Sequence, residues 1–123
     1  MQKTLHRHTI SVRHALDGVK WVLNTQPNYR IHALISLLVI AAVIFFRISE
    51  LEWIIITILI SFGLVVETLN TALEATTDAI TREWRLEIKV AKDASAAAML
   101  TFAIGATLIA LIIFIPKLLA LFQ

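Results

Sequence analysis

The sequence predicts an all-α membrane protein: one amphipathic surface helix followed by three transmembrane helices, with the N-terminus on the cytoplasmic side. Three observations predict it. Apolar residues make up 59% of the 123 positions and the mean hydropathy is +0.82, against about 45–50% apolar usage in soluble domains. The excess is gathered into three blocks, at about 31–47, 51–72 and 94–115, each close to the length needed to cross a bilayer. Nine of the eleven Lys and Arg fall in two stretches, Lys3–Arg30 and Arg82–Lys92, which flank the blocks on one side. The positive-inside rule makes that side cytoplasmic.

A chain of this length holds one domain, 1–123. With no cysteine it has neither disulfides, thiolate metal sites nor a Cys nucleophile. Three Gly and two Pro leave little room for a glycine-rich phosphate loop. The basic stretches flank membrane segments and lack interleaved aromatics, so nucleic acid is not an expected partner.

Each element has its own signal. Over about 5–24, Leu5, Val12, Leu16, Val19 and Leu23 recur at helical spacing, opposite Lys3, Arg7, Arg13, Asp17 and Lys20. Ile10 and Trp21 break the pattern. A signal peptide would instead carry one unbroken apolar core. A basic amphipathic helix lying on anionic headgroups fits this layout. Gln26-Pro27-Asn28 interrupts it, because proline removes a backbone donor. Ile31 to Phe46, the bulk of the first span, is uncharged apart from His32. The segment RISELE reads as the turn after it, and Trp53 as an interfacial anchor for the second span. Pro116-Lys117 marks the expected end of the third.

The second span does not end cleanly. VVETLNTALEATTDAI places Glu67, Asn70, Glu74 and Asp78 at i, i+3, i+7 and i+11. At 100° per residue they stay within an arc of about 60°, one polar stripe on a helix. With a rise of about 1.5 Å per residue from Trp53, Glu67 lies roughly 21 Å in, Glu74 roughly 31 Å and Asp78 roughly 37 Å. Glu67 is thus inside a hydrocarbon core about 30 Å thick, Glu74 at its boundary and Asp78 among headgroups. A charged side chain deep in the bilayer costs about 2.5–3.5 kcal/mol on insertion scales unless paired or wetted. Two readings follow: an interhelical hydrogen-bond seam, or a reaction site straddling the interface. In the second, Glu67 is a base at lipid depth, and Glu74 and Asp78 are acidic ligands where water and cations reach.

The third span opens with VAKDASAAAML. Its small residues, Ala94 to Ala98, favour close packing against the stripe. Lys92 beside a cation-binding carboxylate cluster becomes a candidate phosphate ligand. His6 and His8 are two apart and share no helix face, so they are not a metal pair. His32, at the mouth of the first span, is open to a nucleotide or headgroup contact or to a structural hydrogen bond.

E-x-x-N-T-A-x-E-x-x-x-D at Glu67–Asp78, followed by A-K-D-x-x-A-A-A at Ala91–Ala98, resembles the prokaryotic diacylglycerol kinase family over nearly the whole chain. NYRIH at Asn28–His32 and the closing IPKL resemble its undecaprenol-phosphorylating branch. The resemblance implies a homotrimeric enzyme of the prokaryotic plasma (inner) membrane. Its substrates would be ATP, with Mg²⁺, and a membrane lipid hydroxyl, and its active sites would lie between subunits on the cytoplasmic side. It further implies that Glu67 is the general base, with Asn70 beside it, and that Glu74 binds metal. Lys92 and Asp93 would help assemble the nucleotide site, with Asp78 at its edge and Arg7 and Arg30 as basic positions near the nucleotide. Two departures stand out: Gln26 occupies the place of a second metal-binding Glu, and the segment after Lys92-Asp93 lacks the family's frequent Gly. A Gln carbonyl can ligate Mg²⁺ but brings no charge. Outside the resemblance, the alternatives are a small transporter using Glu67 and a structural subunit that oligomerises through the stripe.

Overall fold

In a computed structural model, the backbone is described for residues 2–123 and side chains for residues 12–123. Four helices follow one another: α1 (Gln2–Thr25), α2 (Pro27–Phe46), α3 (Glu50–Ile80) and α4 (Leu86–Ala120). Among the described residues there is no strand. α2, α3 and α4 are each long and apolar enough to cross a membrane. Their lipid-facing character is plain in the exposure of Leu37, Leu38, Ile44, Phe45, Ile58 and Ile112. Arg7 and Leu5 lie outside the residues with described side chains.

The breaks between helices have local causes. α1 stops at Thr25, Gln26 is extended, and Pro27 starts α2 at the position where its missing N–H is harmless. Arg30 then reaches back to the carbonyls α1 leaves open: Nε donates to Leu23 O at 2.7 Å and Nη2 donates to Asn24 O. The expected face of α1 stays uncovered by the rest of the chain, with Val12, Leu16, Val19 and Leu23 exposed. Among the described residues of α1, Val22 is the one that is buried.

The turn after the first span is shorter than RISELE suggests. Arg47 adopts φ 48°, a left-handed C-cap, at a cost of about 1–2 kcal/mol for a residue with a Cβ. Ser49 then caps α3, receiving the Glu52 N–H while the Glu52 carboxylate accepts from the Ser49 N–H at 2.7 Å. S-E-L-E is therefore a capping box, and these residues belong to the helix start rather than to a loop.

α3 and α4 also outrun their apolar blocks. α3 continues through its carboxylates to Ile80, and α4 begins at Leu86, one and a half turns or more ahead of the apolar stretch. Hydropathy marks where a helix is in lipid, whereas backbone hydrogen bonding continues into water as long as good helix formers follow. Pro116 does not end α4, which runs on to Ala120. A proline this close to a C-terminus disturbs a single turn, and Lys117 secures that turn by donating to Glu52 Oε1 at 2.6 Å.

The three long helices pack antiparallel in sequence order. At the end near Ser49, the buried Val43, Ile48, Ile56 and Ile113 form the apolar core, with Phe46 and Phe114 ring centroids 5.9 Å apart. Midway, Gly63 allows α3 to approach α4: a Cβ there would lie 2.6 Å from Phe102 Cε1. Beside this contact is an apolar cavity of about 200 Å³, reached by His32, Ser36, Gly63, Leu64, Met99 and Phe102. The polar stripe begins just beyond it.

Candidate functional site

Exposure rises along the stripe. Glu67 is 3% and Asn70 7% exposed, Glu74 is half-buried, and Asp78 is exposed. The gradient follows the predicted order of depth. Thr71 and Thr77 are buried between them. Thr77 Oγ1 donates to the carbonyls of Leu73 and Glu74 at 3.0 and 2.9 Å, so its hydroxyl is consumed within α3.

α4 supplies two contacts. Ser95 Oγ donates to Asn70 Oδ1 at 2.6 Å, and Asn70 Nδ2 donates to Glu74 Oε1 over a longer 3.4 Å. The amide of Asn70 is thereby fixed in one orientation, with its donor side toward Glu74. One turn farther out, Lys92 Nζ forms an ion pair with Asp78 Oδ1. The cation that is missing from α3 therefore arrives from α4. Of the small-residue run, only Ser95 faces the stripe closely; Ala94, Ala96, Ala97 and Ala98 are exposed.

The other predicted residues are placed differently. Asp93 pairs with Lys89 on an exposed part of α4, lining the same hollow as the Lys92–Asp78 pair. Arg30 is engaged with the end of α1, as described. Gln26 Nε2 donates to Thr25 Oγ1 at 3.4 Å, which leaves its carbonyl oxygen open. The α2–α3 register brings Val43 and Ile56 into one buried cluster. Continued to the start of α2, that register sets Gln26 level with the Leu73–Glu74 turn. Among the described residues no three carboxylate or imidazole groups converge as an all-protein metal cage.

Glu67 accepts no hydrogen bond from a described residue, yet none of its side-chain oxygens is sealed from solvent without a partner. Where α3 turns into α4, Arg82, Arg85, Lys89 and Lys92 line a hollow of about 310 Å³ together with Trp84 and the carboxylates Asp78, Glu83 and Asp93, to which Lys92, Arg85 and Lys89 respectively are paired.

The profile of the family described as prokaryotic diacylglycerol kinase matches residues 13–114. The chain belongs to the prokaryotic diacylglycerol kinase family. It is 39% identical over 114 residues to an undecaprenol kinase of Bacillus subtilis (strain 168), covering 93% of both chains. It is 33% identical over 113 residues to a diacylglycerol kinase of Synechocystis sp. (strain ATCC 27184 / PCC 6803 / Kazusa), covering 91% of this chain and 65% of that relative.

As a prokaryotic diacylglycerol kinase, the chain is a membrane-located lipid kinase, which implies a nucleotide phosphoryl donor. The transporter and structural-subunit readings lose their ground. Ser95 is the residue of this site that sequence reasoning missed. It lies three positions after Lys92, on the same helical face, and that spacing is the signal that would have found it.

Proposed function

We propose that the chain transfers the γ-phosphate of ATP, with Mg²⁺, to the hydroxyl of undecaprenol, giving undecaprenyl phosphate. The observation that carries the chemistry is the exposure gradient of the stripe, with a buried Glu67 that accepts from no described residue at its deep end. A lipid hydroxyl and an aqueous nucleotide can meet only at such a boundary. The choice of acceptor is supported by the match to the undecaprenol kinase, which spans 93% of each chain. The diacylglycerol kinase is matched over only 65% of its length.

Each residue has a distinct task in this reading. Glu67 accepts the proton of the lipid hydroxyl as the oxygen attacks phosphorus, the step general-base groups accelerate. Asn70, held by Ser95, orients the site between Glu67 and Glu74. Lys92, shared with Asp78, adds positive charge at the phosphates, and Asp93 braces Lys89 beside it. Arg82 and Arg85 extend this field at the hollow, while Arg7 and Arg30 are assigned to the nucleotide side by family resemblance.

The donor set fits Mg²⁺. Glu74 is half-buried and receives only the 3.4 Å contact from Asn70, so its lone pairs are open, and the Gln26 carbonyl is level with it. Mg²⁺ characteristically takes one or two protein oxygens and completes its shell with phosphates and water. Glu74 and Gln26 would hold it, and when bound it supplies charge neutralisation across the β- and γ-phosphates.

The site faces the cytoplasm of a prokaryotic plasma (inner) membrane, with basic segments inside. Homotrimers are the proposed assembly, on the family resemblance alone. The test is phosphorylation by labelled ATP of undecaprenol and diacylglycerol offered side by side in mixed micelles. Label is expected predominantly on undecaprenol. Preference for diacylglycerol reassigns the acceptor, and no label on either lipid overturns the proposal.

A further inference from the structure

Gln26, between α1 and α2, has a backbone that is fully used and a side-chain oxygen that is not. Its N–H donates to Val22 O at 2.9 Å, and its backbone carbonyl accepts from the Arg30 N–H at 3.3 Å. It holds the N-cap position of α2, yet its side chain caps nothing. Within that side chain, Nε2 donates to Thr25 Oγ1 at 3.4 Å, while Oε1 accepts from no described residue. Thr25 Oγ1 in turn donates to Trp21 O at 2.8 Å.

The order of this relay decides which end of the amide faces away from α1. A threonine hydroxyl has one proton and two lone pairs. Thr25 commits its proton to Trp21 O, so it offers Gln26 only a lone pair. The group set against it must then be the NH₂, and the carbonyl oxygen is turned outward. The carbonyls that could draw the NH₂ elsewhere are occupied: Leu23 O and Asn24 O by the Arg30 side chain, and Val22 O by the Gln26 N–H.

That direction matters because of what Gln26 stands beside. Tyr29 and Val43 are the buried residues of α2, and Gln26, three positions before Tyr29, continues their face. On α3, Glu74 continues the covered face of Gly63, Glu67 and Asn70 in the same way. A glutamate would need no orienting group, since its two oxygens are alike. An amide presents a cation with either an oxygen that ligates it or an NH₂ that does not.

We propose that Thr25 is a positioning residue for the Gln26 carbonyl: its hydroxyl, held on Trp21 O, keeps the amide nitrogen toward α1 and the oxygen free for Mg²⁺. The inference rests on the reading of Gln26 and Glu74 as the Mg²⁺ ligands.

The test measures binding of Mn²⁺, an EPR-visible substitute for Mg²⁺, by the full chain in mixed micelles with a non-hydrolysable ATP analogue bound. Each variant is checked for helix content and thermal stability. Thr25→Val keeps the side-chain shape and removes the hydroxyl; Thr25 is exposed, so no cavity results. It is expected to weaken Mn²⁺ binding by roughly threefold to tenfold, about twofold from the amide turning over and the rest from rotamers set free. Thr25→Ser is expected to restore wild-type affinity. In a Gln26→Glu background, Thr25→Val should leave Mn²⁺ affinity unchanged, because a carboxylate has no wrong end. A folded Thr25→Val protein with wild-type affinity, a Ser variant as weak as Val, or an equal loss in the Gln26→Glu background would each overturn the proposal. Gln26→Ala separates it from the reading beneath it. That variant is expected to bind Mn²⁺ more weakly than Thr25→Val, and wild-type affinity would instead remove Gln26 from the metal site and the proposal with it.

Discussion

The two ends of the α2–α3–α4 bundle are built on opposite terms. Near Ser49, the carboxylate of Glu52 is satisfied from both sides, by the Ser49 cap and by Lys117, over a core of Val43, Ile48, Ile56 and Ile113. At the other end, the buried Glu67 accepts from no described residue, Glu74 has one long contact, and Asp78 is paired with Lys92. Both ends place carboxylates where helices meet, but only one finishes the job internally. Incomplete satisfaction of buried polar groups is destabilising, so it persists where a ligand completes it. The closed end holds the helices in register, and the open end is where the proposed chemistry would take place.

That contrast can be broken at either end. The largest effect expected is on turnover: Glu67→Gln should lower it by roughly a hundredfold to ten-thousandfold, the usual range of general-base contributions. At the closed end, Ile56→Ala removes the bulk of a 2% exposed side chain. It should lower thermal stability by an amount near the bottom of the about 2–5 kcal/mol range for such truncations, because in lipid the loss is of packing rather than transfer from water. Thermal denaturation in micelles measures it, and turnover per folded molecule should be preserved. Glu74→Gln should move the Mg²⁺ midpoint of the kinase reaction upward by roughly tenfold; an unchanged Mg²⁺ titration removes Glu74 from the ligand set. The smallest effect is Ser49→Ala, which loses the cap of α3 and should cost about 0.5–2 kcal/mol of stability with no change in Mg²⁺ response.

Much of this was legible from residue spacing. The polar stripe could be read because i, i+3, i+7 and i+11 is a helical face whatever surrounds it; its exposure gradient records how far the neighbouring helices cover each residue. What could not be read was pairing across helices. Nothing in the local sequence near Asp78 announces Lys92, fourteen residues on and across a turn, nor does Asn70 announce Ser95. Element ends were misjudged where polarity and backbone structure part company: S-E-L-E was taken for loop on its charges, though its spacing is that of a capping box. Pro116 was taken for a stop, yet α4 continues because its last turn is anchored to Glu52. Arg30 was assigned to the nucleotide by resemblance, and the structure gives it a clear local duty at the α1–α2 break.

The account's central claim is that Glu67 serves chemistry and not architecture. The direct measurement is a paired one on the same micellar preparations of wild type and Glu67→Gln: transfer of labelled phosphate from ATP to undecaprenol, and the thermal unfolding midpoint. The account predicts that transfer nearly vanishes while the midpoint stays at or above the wild-type value, since a buried charge has been removed. Wild-type-like transfer by Glu67→Gln, or a loss of transfer that merely tracks a fall in the midpoint, would contradict it.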